Sequence, residues 1–196
     1  MAQTPKKLST VPTEIQIPAP IDTLTDQAKE YVRPKDFIFL GSGRTCLSLA
    51  EKIKTISGIS VIANNVSALT ILKPYVQNII LLGGEIIMTP DSLFATSDAN
   101  LPATTSGMFV NKAFSSGVGI NLEAGLTVNN MFSIYVCRVI PQLTEEWYVM
   151  MDSSKFGTRA FYQAAELGKI SHLVTDMGDE TILRKYKEKG VDVIHP

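Results

Sequence analysis

Short apolar runs alternating with amphipathic stretches set the rhythm of this chain. Phe37-Ile38-Phe39-Leu40 is apolar at every position, the pattern of a strand buried on both faces. Further strands are expected over 60–63, 78–82, 112–117, 147–151, 171–175 and 191–194. Between them, apolar residues recur at helical spacing. Ile21, Leu24, Ala28, Tyr31 and Val32 predict a first helix, with Asp22 or Thr23 able to cap it and Arg33-Pro34 ending it. Helices are also expected over 45–55 (closed near Gly58), 66–73, 129–139 and 180–189, the last ended by Gly190. The stretch 98–108 reads as helical with an interruption at Pro102, 83–94 as loose chain, and Gly119, Asn121 and Gly125 as marks of an irregular loop. Strands that alternate with helices predict an α/β fold: a mostly parallel sheet with helices on both faces, Rossmann-like.

In an open parallel sheet, ligands bind beyond the carboxyl ends of the strands. Four polar or glycine-containing stretches fall at such ends: Gly41-Ser42-Gly43-Arg44-Thr45, Asn64-Asn65, Gly83-Gly84-Glu85 and Asp152-Ser153-Ser154-Lys155. The first joins a buried strand to a helix start. Backbone N–H groups and the positive helix end can cradle an anion there, aided by Arg44 and the Ser42 and Thr45 hydroxyls. The turn has neither the glycine spacing of a dinucleotide fingerprint nor the Gly-Lys-Ser/Thr of a P-loop, and it also reads as an ordinary strand-to-helix turn. Lys155 supplies a point charge for the same anion, or a solvated surface lysine. Asn64 can donate and accept as sugar hydroxyls require, and Gly83 and Gly84 let backbone approach a ligand closely. Asp152 reads as a turn former. Taken together, the four favour a small phosphorylated polyol, bound by Ser42, Gly43, Arg44, Thr45, Asn64, Gly83, Gly84, Glu85 and Lys155.

Composition narrows the classes. The chain has 196 residues, a net charge of −1 and 45% hydrophobic residues, enough for a sizeable core and too little positive charge for an electrostatic nucleic-acid binder. No apolar run approaches a membrane span, and the start lacks a signal-peptide core. Two cysteines, Cys46 and Cys137, without a CxxC or a neighbouring histidine, point to buried thiols in a cytoplasmic protein with no metal site and no cofactor. His172 and His195 read as packing or surface residues. Residues 1–20, punctuated by Pro5, Pro12, Pro18 and Pro20, read as a linker or arm before a single domain over 21–196.

These motifs carry a resemblance. Ile38-Phe39-Leu40-Gly41-Ser42-Gly43-Arg44-Thr45, Asn64-Asn65, Leu81-Leu82-Gly83-Gly84-Glu85, Lys112-Ala113-Phe114, Gly119-Ile120, Gly125-Leu126-Thr127 and above all Asp152-Ser153-Ser154-Lys155-Phe156-Gly157 resemble the C-terminal sensor domain of DeoR-family transcriptional repressors. Leu173-Val174-Thr175-Asp176 and Gly190-Val191-Asp192-Val193-Ile194 resemble the ending of that domain. The resemblance implies a phosphosugar isomerase-like fold and a phosphorylated sugar effector that alters DNA binding by a helix-turn-helix, which this chain does not contain. It also implies a homo-oligomer with no membrane partner and no nucleic-acid contact of its own. The family commonly has Asp at the position of Gly41, Thr at that of Arg44 and Asp at that of Val118. In the related isomerases an acidic residue near Val118 serves the chemistry.

Three functions are expected to compete. The first is a sensor domain, with phosphate on the 42–45 loop and Lys155 and the polyol end towards Asn64 and the Gly83-Gly84 turn. Ordering of the 83–94 and 117–125 loops would be its switch. The second is a phosphosugar isomerase or deaminase, whose general base would be Glu85 or Glu123, with Asp98 further off. The third is an oligomerisation module with no ligand. The sensor reading is preferred, with no catalytic residue.

Overall fold

The computed structural model describes residues 17–89 and 93–196; most of the expected arm, 1–16, lies outside the described residues. Seven parallel strands form the central sheet: β1 (Phe37–Leu40), β2 (Ser60–Ala63), β3 (Asn78–Leu81), β6 (Lys112–Ser115), β9 (Trp147–Met150), β11 (His172–Val174) and β12 (Asp192–Ile194). The intervening β4 (Ile86–Met88) and β5 (Leu93–Ala95) form an antiparallel ribbon, and β7 (Gly119–Asn121), β8 (Gly125–Val128) and β10 (Tyr162–Ala165) a small antiparallel sheet. The order in the large sheet is β12-β11-β9-β6-β1-β2-β3. From β1 the chain winds outward through β2 to β3, then returns to lay β6 on the other side of β1 and winds away again. The reversal falls between β1 and β6, and the loops leaving those two strands part there.

Each strand feeds two cores because successive side chains point to opposite faces. Ile38, Leu40, Val61, Ala63, Phe114, Tyr148, Met150 and Val174 lie in one core, with Leu24 and Ala28 of α1 (Ala19–Lys29), α2 (Arg44–Ile53) and α3 (Val66–Leu72). Phe39, Ile62, Ala113, Trp147, Val149 and Leu173 lie in the other, with the small sheet, α5 (Met131–Leu143) and α6 (Glu180–Lys187). Helices thus cover both faces, as the runs of apolar strand residues required. Trp147 is 1% exposed, and its indole N–H donates to the Ser115 hydroxyl across the β6–β9 pair at 2.8 Å. Tyr148 stacks on Phe114 and His172, with ring centroids 4.9 and 4.3 Å apart, so His172 is a packing residue with its Nδ1 on Asp192.

The structure corrects three local expectations. The region of Gly119, Asn121 and Gly125 is a hairpin. The Asn121 carboxamide oxygen accepts from the Glu123 and Ala124 amides, closing the turn, and Gly125 takes φ +66°. Strands of three or four residues around such a turn show no readable alternation. The loose 83–94 stretch contains the β4–β5 ribbon, with positions 90–92 outside the described residues. The helix expected over 98–108 shrinks to α4 (Leu101–Thr104), whose start is Pro102's neighbour rather than Asp98.

Both cysteines are buried, and loss of water pushes each thiol up to about 12 from the ordinary 9.0. Because the folded value lies above the unfolded one, the stability these neutral thiols contribute is complete below the ordinary value. It is lost as pH rises towards about 12. Neither thiol should react with Ellman's reagent at pH 8 until denaturant unfolds the chain; rapid labelling of the native protein would contradict their placement.

Candidate functional site

At the reversal point the carboxyl ends of β1, β6 and β9 open into a cavity of about 490 Å³. Its first wall is the turn after β1. The Gly41 amide donates to the Phe114 carbonyl at 2.9 Å, extending the β1–β6 pairing by one residue. A β-carbon at Gly41 would sit 3.3 Å from the Ser115 β-carbon, a tight approach that Ser115 would have to yield to by a few tenths of an ångström. Gly43 then adopts φ +95°, a conformation that needs glycine, and starts α2 without a side-chain cap. The helix begins at Arg44, one residue before the expected Thr45. Ser42, Gly43, Arg44 and Thr45 all line the cavity.

The facing wall is the turn after β9, where Ser153–Lys155 form one turn of 3₁₀ helix. Asp176, from the end of β11, fixes it: its carboxylate accepts from the Ser153 amide at 2.6 Å and from the Ser153 hydroxyl at 3.0 Å. Asp152 accepts from the Ser154 hydroxyl, and its other oxygen lies 3.3 Å from the Lys155 ammonium. Lys155 also donates to the Ser116 hydroxyl at 3.2 Å, with its side chain 22% exposed. The ammonium is held at the cavity edge rather than waving in solvent. Asp152 therefore acts as an anchor for Lys155 as well as the turn former expected.

Two more segments close the site. Asn129 and Asn130 leave β8 and start α5, where the Asn130 carboxamide accepts from the Ser133 amide at 2.9 Å. Pro18, Pro20 and Ile21 bring in the start of α1. The amino ends of three helices thus border one cavity, and its lining carboxylate, Asp152, is already paired. The local field favours an anion.

Of the expected binding residues, the structure brings together Ser42, Gly43, Arg44, Thr45 and Lys155; Asn64, Gly83, Gly84 and Glu85 do not line this cavity. The reason is the sheet order. β2 and β3 lie on the far side of β1 from β6, so their ends stand one and two strands beyond β1. Asn64 is 2% exposed, with its carbonyl accepting from the Ala95 amide and its side-chain oxygen buried without a hydrogen-bond partner. Gly83 takes φ +125° and abuts the Thr96 carbonyl, where a β-carbon would lie at 2.6 Å; the Gly84 amide donates to that carbonyl, and Glu85 accepts from the Thr96 amide. This turn serves the β4–β5 ribbon. Glu123 and Asp98, with Glu85 the expected bases of an enzyme, are likewise off the cavity, and Val118 lines it. Ser116, Asn129, Asn130 and Ser133 line it unexpectedly. The Asn129-Asn130 pair before α5 repeats the pattern of Asn64-Asn65 before α3, and that repeat was the available signal. Among the described residues, no cluster of His, Cys, Asp or Glu could hold a metal ion.

Asn65 supports the site from behind. Its carboxamide oxygen accepts from the Ala68 amide at 3.0 Å, capping α3, while its nitrogen donates to the Gly41 carbonyl at 3.2 Å. Asn65→Ala removes a cap and a buried hydrogen bond. It should lower unfolding stability by about 2 kcal/mol in urea denaturation; a change below ~0.5 kcal/mol would show that water replaces both contacts.

A parallel sheet covered by helices on both faces, with a cavity at its reversal point, defines the class: a Rossmann-like α/β domain. The sequence matches the family described as the DeoR C terminal sensor domain over residues 22–177, and the chain belongs to that family. It is 30% identical over 175 residues to an Escherichia coli K12 protein named for transcriptional regulation of the sgc region, covering 86% of this chain and 64% of that protein. It is 30% identical to the lactose phosphotransferase system repressor of Streptococcus mutans, over 83% of this chain and 64% of the repressor. It is 26% identical to the HTH-type transcriptional regulator IolR of Bacillus subtilis, over 76% of this chain and 58% of the regulator. The chain thus spans about two thirds or less of these relatives' lengths. Among solved structures, eIF2B beta from Chaetomium thermophilum shares the fold, with a TM-score of 0.56 and 15% identity, covering 86% of this chain and 55% of that one. A D-ribose-5-phosphate isomerase in complex with phospho-erythronic acid gives a TM-score of 0.49 and 12% identity over 69% of this chain and 52% of its own.

Proposed function

We propose that this chain is the effector-sensing part of a DeoR-type transcriptional repressor and that its effector is a phosphorylated sugar or sugar-derived metabolite. One observation carries the reading: the uncapped start of α2, Arg44 and Lys155 border one cavity whose remaining polar lining is hydroxyls, carboxamides and a single carboxylate, Asp152, that is already paired with Lys155 and Ser154. The phosphate docks between the 42–45 turn and Lys155. Ser116, Asn129, Asn130 and Ser154 read the hydroxyls, in place of the Asn64 and Gly83-Gly84 contacts expected from the sequence. The chain acts by binding and not by turnover: among the described residues no glutamate or histidine lines the cavity, and its carboxylate, Asp152, is engaged by Lys155 and Ser154. It works in the cytoplasm as a homo-oligomer, through a DNA-binding unit attached to it or supplied by a partner.

The test is a thermal-shift panel of phosphorylated sugars, each beside its unphosphorylated parent. A ligand at a hundred times its dissociation constant stabilises the fold by about 2.7 kcal/mol. A shift with one phosphate and none with its parent supports the reading. No shift across pentose and hexose phosphates would overturn it.

A further inference from the structure

The cavity has a wall that no polar argument accounts for. Pro18, Pro20 and Ile21 present carbon to the space that Lys155 and the 42–45 turn border from the other side. Pro18 and Pro20 are exposed, whereas Ile21 is 5% exposed and anchors the start of α1. That start is tied to α2, the helix whose amino end forms the anion cradle. The Lys52 ammonium of α2 meets Asp22 at 2.8 Å and Asp26 at 2.6 Å and donates to the Asp22 carbonyl at 2.9 Å. The Thr25 and Ser48 hydroxyls meet at 2.9 Å in the interface between the two helices. The segment where the chain enters the domain is therefore a face of the cavity, and the helix it starts is tied to the middle and carboxyl end of α2, the helix whose amino end forms the anion cradle. A pyranose or furanose phosphate presents C–H faces between its rim hydroxyls, and two prolines make a stiff, apolar surface for one of them.

Resting on the ligand reading above, we propose that Pro18, Pro20 and Ile21 are ligand-contact residues that grip the carbon face of the bound sugar phosphate, so that occupancy of the cavity fixes how the chain enters α1. The entering segment is thereby the first element to register the ligand. Its two prolines pre-set φ and transmit the constraint to the residue on either side with little loss to local flexing. A ligand that binds the anion end alone, such as inorganic phosphate, leaves this segment as it was.

The experiment uses the full chain with Ala19→Cys carrying a nitroxide spin label; the native thiols are buried and do not compete for it. Ribose 5-phosphate, glucose 6-phosphate, fructose 1-phosphate and inorganic phosphate are titrated in turn, with affinity read by calorimetry and label motion by electron paramagnetic resonance. The expected result is that a sugar phosphate slows the label with the same midpoint as binding, while inorganic phosphate does not. In the Pro18→Ala, Pro20→Ala double variant, sugar-phosphate affinity falls about fourfold, the loss expected for roughly one buried methylene, and phosphate affinity is unchanged. A sugar phosphate that binds while either readout stays unmoved overturns the proposal and leaves the sensor reading standing. Binding of none of the four overturns both.

Discussion

Lys155→Ala should lower the affinity for a phosphorylated sugar by about 10- to 100-fold, the loss expected when one charge-assisted hydrogen bond to a phosphate is removed. The geometry makes this the largest single effect at the site. The ammonium is already held by Asp152 and Ser116 at the cavity edge, so little freedom is lost when it meets an anion. Stability should fall only modestly: Asp152 loses its cation but keeps the Ser154 hydroxyl, and the 3₁₀ turn remains fixed by Asp176 on Ser153. Calorimetric titration of the variant beside the parent checks both points. An affinity within twofold of the parent would place the phosphate elsewhere. Loss of cooperative unfolding would instead assign Lys155 a structural role.

Gly125→Ala should be the most damaging small substitution, lowering stability by more than about 3 kcal/mol. The position has φ +66°, and an added β-carbon would lie 2.2 Å from the Ala165 carbonyl oxygen and 3.0 Å from the Glu166 α-carbon. Backbone stands on the other side of the clash, so no side chain can turn away to relieve it. The β8–β10 pairing must separate, and with it go Val128 and Asn129, which carry one edge of the cavity. Urea unfolding measures the first effect and ligand titration the second. A loss below about 1 kcal/mol would mean that the small sheet relaxes around the methyl at the cost of φ strain alone.

How much of this was legible in the sequence follows from what each residue answers to. β1 coincides with its apolar run and β2 ends with the run Val61-Ile62-Ala63, because a strand buried on both faces leaves a continuous signature. The helices from Val66 and Glu180 start where Asn65 and Asp179 cap them, a local interaction that the sequence displays. The small sheet leaves little trace because Gly119–Asn121 and its hairpin partner carry too few residues to show a period, and Tyr162–Ala165 joins Gly125–Val128 only across a long separation. The site divides in the same way. The 42–45 turn and Lys155 stand out as local motifs. Which strand ends adjoin is a matter of sheet order, and no local pattern announces that β6 and not β2 completes the cavity beside β1. Asn64 and the Gly83–Gly84 turn therefore stand one and two strands from the cavity, which Asn129, Asn130 and Ser116 border.

Trp147 gives the chain an optical readout of its own. It is the single tryptophan, sealed from solvent, and its indole N–H rests on the Ser115 hydroxyl one residue before Ser116 at the cavity wall. Native emission should be blue-shifted and shielded from acrylamide. Any rearrangement that a ligand imposes on β6 reaches the indole through one hydrogen bond, so spectral change would report on the sheet beneath the cavity with no dye attached.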